Sequence, residues 1–137
     1  MKLKICLFAI LVGCCFISCK KLVQQQEQSA AINIITNGLW YVQTYKQDST
    51  DITASFSGFV FQFKQDGTVT GTRDSVSTSG TWAADITNRT ITSNFPDPPS
   101  PLNMLNSVWK ITDSGVDYVV ANTTINDSTE NLRLQKQ

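Results

Sequence analysis

A period-two alternation of apolar and polar residues, broken by turn signals, runs through the chain from Gly38 onward. The clearest segment is GFVFQFK, residues 58–64, where three phenylalanines alternate with Val60, Gln62 and Lys64. Successive side chains of a β-strand point to opposite faces, so this pattern predicts a strand with one buried face. QDGT follows directly, and Asp-Gly is a strong signal for a tight hairpin turn.

Turn signals recur every 8–12 residues or so, which is typical of an all-β sandwich or barrel. We predict eight strands, over residues 39–46, 58–64, 68–73, 80–85, 89–95, 108–113, 116–122 and 130–135. Eight antiparallel strands with mostly short links can close into a small barrel, and closure removes exposed sheet edges. The predicted fold class is therefore all-β, an eight-stranded antiparallel up-and-down barrel with a short N-terminal helix.

The first 18 residues have the composition of a secretory signal peptide. Lys2 and Lys4 form a short basic region, and residues 5–17 carry no charge. A membrane-spanning helix needs about 20 apolar residues, so this run is too short to span and fits a signal peptide. We predict a signal peptide over residues 1–18, a lipidated tether and short helix over 19–37, and the barrel domain over 38–137.

All four cysteines lie within the first 19 residues. FISC, which ends at Cys19, resembles a bacterial lipobox, the motif in which the signal peptidase cleaves and the cysteine receives lipid. LVGC, which ends at Cys14, also fits that pattern but leaves a hydrophobic region of only about eight residues, the lower limit for a signal. We favour Cys19 as the lipidation site, which leaves a mature chain of 119 residues. Several acyl chains would anchor it stably, because each buried CH₂ contributes about 0.8 kcal/mol.

The composition excludes several kinds of site. The chain has no histidine and no cysteine after Cys19. These absences remove the usual general base near neutral pH, Ser-His and Cys-His nucleophile pairs, and the usual zinc ligand sets. The basic residues are scattered, which argues against nucleic acid binding. Most aspartates lie beside Gly, Ser or Thr, where they favour turns. We therefore predict no enzyme activity, no metal site and no cofactor.

One connection differs from the short turns. FPDPPSPLNMLNS, residues 95–107, contains all four prolines of the chain. Proline cannot donate to a sheet ladder, so this segment is predicted to be a loop between the fifth and sixth strands. Leu102, Met104 and Leu105 are apolar within it and could lie on one helical turn that begins at Pro101. We favour a cap packed over one barrel end, and the alternative is a lid or portal for a ligand.

The start of the first predicted strand reads NGLWYVQTY, and its Gly38-x-Trp40 resembles the first motif of lipocalins. In that family the tryptophan packs at the closed barrel end under an arginine from the last strand, so the resemblance implies that Arg133 stacks on Trp40. FSGFVFQFKQDGTVTGT, GTW and PLNMLNSVWKI extend the likeness over residues 38–135. This series resembles small lipocalin-like lipoproteins of Bacteroidetes-type bacteria, which implies a lipocalin-like barrel in the cell envelope.

The predicted interior is rich in aromatic residues, and two functions are compatible with it. In the first, a lipid-anchored lipocalin-like protein binds a small hydrophobic ligand in the barrel, since ligand pockets are mostly apolar. The ligand-binding candidates are Trp40, Phe59, Phe61, Phe63, Trp82, Trp109 and Tyr118. In the alternative, these bulky side chains fill the barrel, and the lipoprotein has a structural or protein-interaction role with an envelope partner. We expect an outer-membrane lipoprotein that faces the periplasm, because KKLVQ after Cys19 lacks an acidic run.

Overall fold

The computed structural model describes the backbone of residues 15–137 and the side chains from Lys20 onward. In this part of the chain, helix α1 (Cys15–Thr36) is followed by nine strands and two short 3-10 helices, η1 (Thr53–Phe56) and η2 (Leu102–Leu105). The strands are β1 (Trp40–Gln47), β2 (Thr50–Asp51), β3 (Val60–Phe63), β4 (Thr68–Arg73), β5 (Val76–Asp85), β6 (Thr90–Asn94), β7 (Ser107–Ser114), β8 (Tyr118–Ile125) and β9 (Ser128–Lys136).

The strands form one antiparallel sheet that closes on itself. From β3 to β9 each strand pairs with the next along the chain, and β1 pairs with β3 on one side and with β9 on the other. The two-residue β2 only extends the edge beside the end of β1. The eight longer strands match the eight that the sequence predicts, and the all-β, up-and-down barrel with an N-terminal helix is confirmed.

The two ends of the barrel differ in what covers them. The helix end carries the C-terminal part of α1 together with the turns at residues 64–67, 86–89 and 115–117. The opposite end, which we call the mouth, carries the turns at residues 48–49, 74–75 and 126–127 and the loop over residues 95–106. Adjacent strands run in opposite directions, so successive connections alternate between the two ends.

Helix α1 docks by its last two turns only. Every residue from Lys20 to Ala30 is exposed, whereas Ile35 is buried and Ile32 packs partly against the core. The helix is longer than the tether and short helix that we predicted, because Lys, Gln, Leu and Ala are good helix formers. It ends at Thr36, one residue before the predicted boundary at residue 37. In the described part of the chain, no helix combines the length and apolarity needed to cross a membrane.

Most of the predicted signal peptide, including Cys14, lies outside the described residues. The predicted lipidation site, Cys19, belongs to the backbone of α1, and its side chain is outside the description. The signal peptide, the lipid anchor and the boundary between residues 18 and 19 therefore stay predictions.

Candidate functional site

Six of the seven predicted ligand-binding residues are buried in the barrel. Phe61 and Phe63 on β3 and Trp109 on β7 face the centre of the interior, and they are joined in the core by Trp40, Phe59 and Trp82. Their burial follows from the alternation of inward and outward side chains along each strand. Whether they contact a ligand stays a prediction.

The seventh predicted residue, Tyr118, lies on the outer face of the barrel. The prediction that it faces the interior is wrong, because Val119 and Ala121 are the buried residues of β8. The segment YVVA is apolar at every position, so alternation alone could not assign its faces. On the outer face, the Tyr118 ring lies 4.4 Å below the guanidinium carbon of Arg133, and its hydroxyl donates to Asp113 Oδ2 at 3.2 Å.

The same contact corrects the expectation that Arg133 stacks on Trp40. Leu132 and Leu134 are buried on β9, so Arg133 between them points outward, to Tyr118. Lys136 occupies the predicted place instead, with its Nζ 5.0 Å from the centre of the Trp40 ring. Trp40 is fully buried at the helix end, and its Nε1 donates to the carbonyl oxygen of Ile35 at 2.8 Å.

The centre of the barrel holds a small cavity of about 40 Å³. Phe61, Phe63 and Trp109 line it, with other mostly apolar residues from β4 and from β6, β8 and β9. Ligand pockets measure about 300–1,000 Å³, and one water needs about 10–15 Å³, so this space is far below the size of a fatty acid. In this conformation the barrel is nearly filled.

Three predicted residues fill the core away from the cavity. Trp82 packs edge-on against Phe63 with ring centres 5.5 Å apart, and its Nε1 donates to the carbonyl oxygen of Lys64 at 2.8 Å. Phe59 stacks on Phe61 at 5.9 Å, and the guanidinium carbon of Arg73 lies 4.3 Å from the centre of the Phe59 ring. Together with Trp40, they act as packing residues in this structure.

The mouth is closed by η2, Leu102–Leu105, which we call the plug. Leu102 is fully buried and packs with Phe61 against the backbone of Gly71, a strand position where a Cβ would lie 3.0 Å from the Phe61 ring. Leu105 is also buried, and its carbonyl oxygen accepts from Ser93 Oγ. The predicted cap over one barrel end is thereby confirmed, and its role as a lid is untested.

Tyr45 connects the barrel wall to the plug. Its hydroxyl donates to the carbonyl oxygen of Met104 at 3.0 Å, and its fully buried ring stacks on Phe56 with centres 5.0 Å apart. Burial raises the pKa of the Tyr45 phenol most, and the neighbouring Glu130 carboxylate raises it further. Tyr45 was not among the predicted interior residues, because a bulge between Val42 and Thr44 changes which residues of β1 face inward.

Glu130 is the other residue that sequence analysis missed. It is only 1 % exposed, and its Oε1 accepts from Gln47 Nε2 at 3.0 Å. Its Oε2 is buried and has no hydrogen-bond partner among the residues that the structure describes. In the predicted strand ENLRLQ, period-two alternation places Glu130 on the same face as Leu132 and Leu134. This alternation was the sequence signal that Glu130 is buried. No group of three or more acidic or cysteine side chains in the described residues is placed to hold a metal ion.

Comparison with known proteins shows a fold relationship. A DUF4847 family protein from Bacteroides vulgatus ATCC 8482, solved by crystallography, superposes with a TM-score of 0.55 at 20 % sequence identity. The match covers 78 % of this chain and 99 % of the other. No protein-family model matches the sequence, and no curated protein matches it. At this identity the likeness shows the fold alone: this chain is a closed barrel similar to that Bacteroides protein.

Proposed function

We propose that this protein is a lipid-anchored, non-catalytic barrel of the cell envelope that acts by binding a protein partner through its outer surface. The observation that carries the proposal is the filled interior, where about 40 Å³ remains. A pocket for a drug-sized or lipid ligand is about ten times larger. The chain contains no histidine, the usual general base near neutral pH, and this composition supports a role that depends on contacts rather than on catalysis.

The N-terminal helix supports the anchoring part of the proposal. Residues 20–30 are exposed and lie between the lipobox cysteine, Cys19, and the docked end of α1. A helix rises about 1.5 Å per residue, so these residues form a spacer of about 15 Å. Because α1 docks at the helix end, an anchor at Cys19 would turn that end toward the membrane and leave the mouth facing away. We also propose that the protein lies on the periplasmic face of the outer membrane, because KKLVQ after Cys19 lacks an acidic run.

A second candidate function is binding of a small hydrophobic ligand after the plug has moved. One observation favours it: the mouth is closed by Leu102 and Leu105 on a loop, and loops move more readily than barrel walls. In this alternative the described conformation is the closed form. The aromatic residues Phe61, Phe63 and Trp109 would then line the enlarged space.

A titration separates the two candidates. A chain that begins at Lys20 keeps every described core contact, because residues 20–30 are exposed. We would titrate it with a fluorescent fatty-acid analogue and follow tryptophan quenching. The interaction role predicts no saturable binding. One-to-one binding that natural fatty acids displace would overturn the filled-barrel interpretation and support the carrier.

The anchor has its own test. Cells that express the full chain would be fed an alkyne-bearing fatty acid, and labelling of the protein would be compared between C19A and C14A. We expect label in C14A and none in C19A. Label that survives in C19A and is lost in C14A would move the lipidation site to Cys14.

A further inference from the structure

Exposed acidic residues gather at the mouth. The turns, strand β2 and the loop at this end carry Asp48, Asp51, Asp74, Asp97 and Asp127, and all five are exposed. We call these five aspartates the acidic rim. Lys46 and Arg73 are the basic residues near them in the described chain, and Arg73 is directed to the Phe59 ring and the Ser55 carbonyl. Several of these aspartates also stabilise turns, as Asp48 does by accepting from the Thr129 backbone at 2.9 Å. The acidic rim by itself therefore has a structural explanation.

Glu130 is only partly explained by its neighbours: Gln47 donates to its Oε1, and the Tyr45 hydroxyl, which donates to Met104, lies beside the carboxylate. It is the first buried inward-facing residue of β9 after the mouth turn at 126–127, and its Oε2 lacks a donor within residues 15–137. A buried carboxylate oxygen without a hydrogen bond is destabilising, and native proteins seldom keep one without a reason. The apolar residues deeper on the same strand, Leu132 and Leu134, show that an apolar side chain fits this face.

A connection leads from the rim to this buried acid. Gln47 is half-buried, lies next to Asp48 in the chain, and donates to Glu130 Oε1 at 3.0 Å. Glu130 and Gln47 are also directly paired across β1 and β9. Movement of the Gln47 side chain would open a way from solvent to the carboxylate. The plug lies beside this path, because Tyr45, which neighbours Glu130, donates a hydrogen bond from its hydroxyl to the carbonyl oxygen of Met104 in the plug.

We propose that the mouth is a recognition site for a basic side chain, lysine or arginine, of a protein partner. In this site Glu130 is the buried counter-charge, Gln47 is the positioning residue that yields to the incoming group, and the rim aspartates attract it from a distance. The proposal rests on the interaction role proposed above and names the chemistry of the partner. A cationic donor would give Oε2 the hydrogen bond that it lacks.

Charge decides the class of partner. Acidic groups on the two sides of an interface repel, and complementary charges increase both specificity and the rate of encounter. An acidic peptide would meet the rim first and Glu130 afterwards, with unfavourable electrostatics at both steps. A basic peptide meets favourable charge at both. The carboxylate head of a fatty acid is disfavoured at this end of the barrel because it carries the same negative charge.

The test uses the chain that begins at Lys20 and two probe peptides, tetralysine and tetraglutamate, followed by calorimetric titration at low salt. We expect saturable one-to-one binding of tetralysine and none of tetraglutamate. E130Q is nearly isosteric and should weaken tetralysine binding at least about 30-fold, because it removes a buried charged partner. E27Q is the matched control, since Glu27 is the exposed glutamate of α1 and the substitution changes the net charge equally. It should bind as the wild type does.

Two further variants separate the role of the buried charge from that of the rim. E130D retains the charge and should keep the preference for tetralysine, whereas D74N should weaken binding only about twofold, with an effect that salt removes. Circular dichroism would verify that each variant is folded. Equal binding by E130Q and wild type, or no binding of tetralysine to wild type, would overturn the site. Either result would leave the interaction role to another surface, while fatty-acid binding in the titration above would overturn that role itself.

Discussion

The side chain of Lys136 joins the last strand of the barrel to the first strand and to the helix. Its Nζ lies 5.0 Å from the centre of the Trp40 ring and donates to the carbonyl oxygen of Ile34 at 3.2 Å. Trp40 in turn donates to the carbonyl oxygen of Ile35. One cation therefore interacts with an indole face and with the C-terminal end of a helix, where the helix dipole favours positive charge.

The first prediction concerns this junction. K136M keeps the length and apolar stem of the side chain but removes the charge, so both interactions are lost. We expect the free energy of unfolding to fall by about 1 kcal/mol. The measurement is urea unfolding followed by tryptophan fluorescence. K46M is the matched control, because Lys46 is exposed on β1. An equal effect of the two substitutions would contradict the importance of the Lys136 contact.

The eight long strands could be predicted because each carries period-two alternation between strong turn signals. Asp66-Gly67 is an example, with Gly67 at φ 86° and Thr68 N–H donating to Asp66 Oδ1 at 2.9 Å. Three features could not be predicted. The bulge in β1 turns Tyr45 inward, and the uniformly apolar YVVA concealed the phase of β8. The partner of Trp40 was inferred from a family resemblance, and Lys136 supplies the cation in this chain.

The candidate site was predicted less completely than the fold. Aromatic residues on alternating positions were expected inside the barrel, and six of seven are buried there. Their combined volume could not be compared with that of the interior before the strand pairing and the plug were known. Glu130 could not be recognised as a site residue for a different reason. A single acidic residue on an apolar strand face has the same sequence pattern whether it is buried in a site or exposed at the end of the strand.

The second prediction concerns the plug. L102A removes a fully buried side chain from the mouth and should lower the free energy of unfolding by about 3 kcal/mol, because the Phe61 ring and Gly71 can collapse only partly into the gap. L22A is the control, since Leu22 is 60 % exposed on α1. Urea unfolding measures both. Similar small losses in the two variants would mean that Leu102 does not close the mouth in solution.

The third prediction compares two inward-facing glycines. A Cβ at Gly80 would lie 2.4 Å from the carbonyl oxygen of Asn94 and 2.9 Å from the Phe95 ring, so a neighbouring strand must shift. A Cβ at Gly71 would lie 3.0 Å from the Phe61 ring, which is a side chain and can adjust. We expect G80A to cost about 3 kcal/mol of stability and G71A about 1 kcal/mol.

Thermal unfolding of the two variants under identical conditions measures the difference. G71A also pushes against Leu102, whose Cδ2 would lie 3.3 Å from the new methyl group, so faster amide exchange in the plug should accompany it. A G71A variant less stable than G80A would contradict the assigned contacts.

The fourth prediction concerns alkaline pH. Burial and the neighbouring Glu130 raise the pKa of Tyr45 above the usual value of about 10 for a tyrosine. The folded state thus favours the neutral phenol more than the unfolded state does. This contribution to stability is complete below about pH 10 and is lost progressively above it, as the unfolded chain ionises.

Wild type should therefore lose stability more steeply than Y45F between about pH 10 and pH 12, although Y45F is less stable at neutral pH because it lacks the hydrogen bond to Met104. Urea midpoints measured at several pH values would give the two slopes. Phenolate absorbance provides the second readout, since the Tyr45 ring should ionise only when the barrel unfolds. Parallel pH profiles for the two proteins, or ionisation of all tyrosines while the barrel is still folded, would show that Tyr45 is accessible to solvent and that the plug does not seal the mouth.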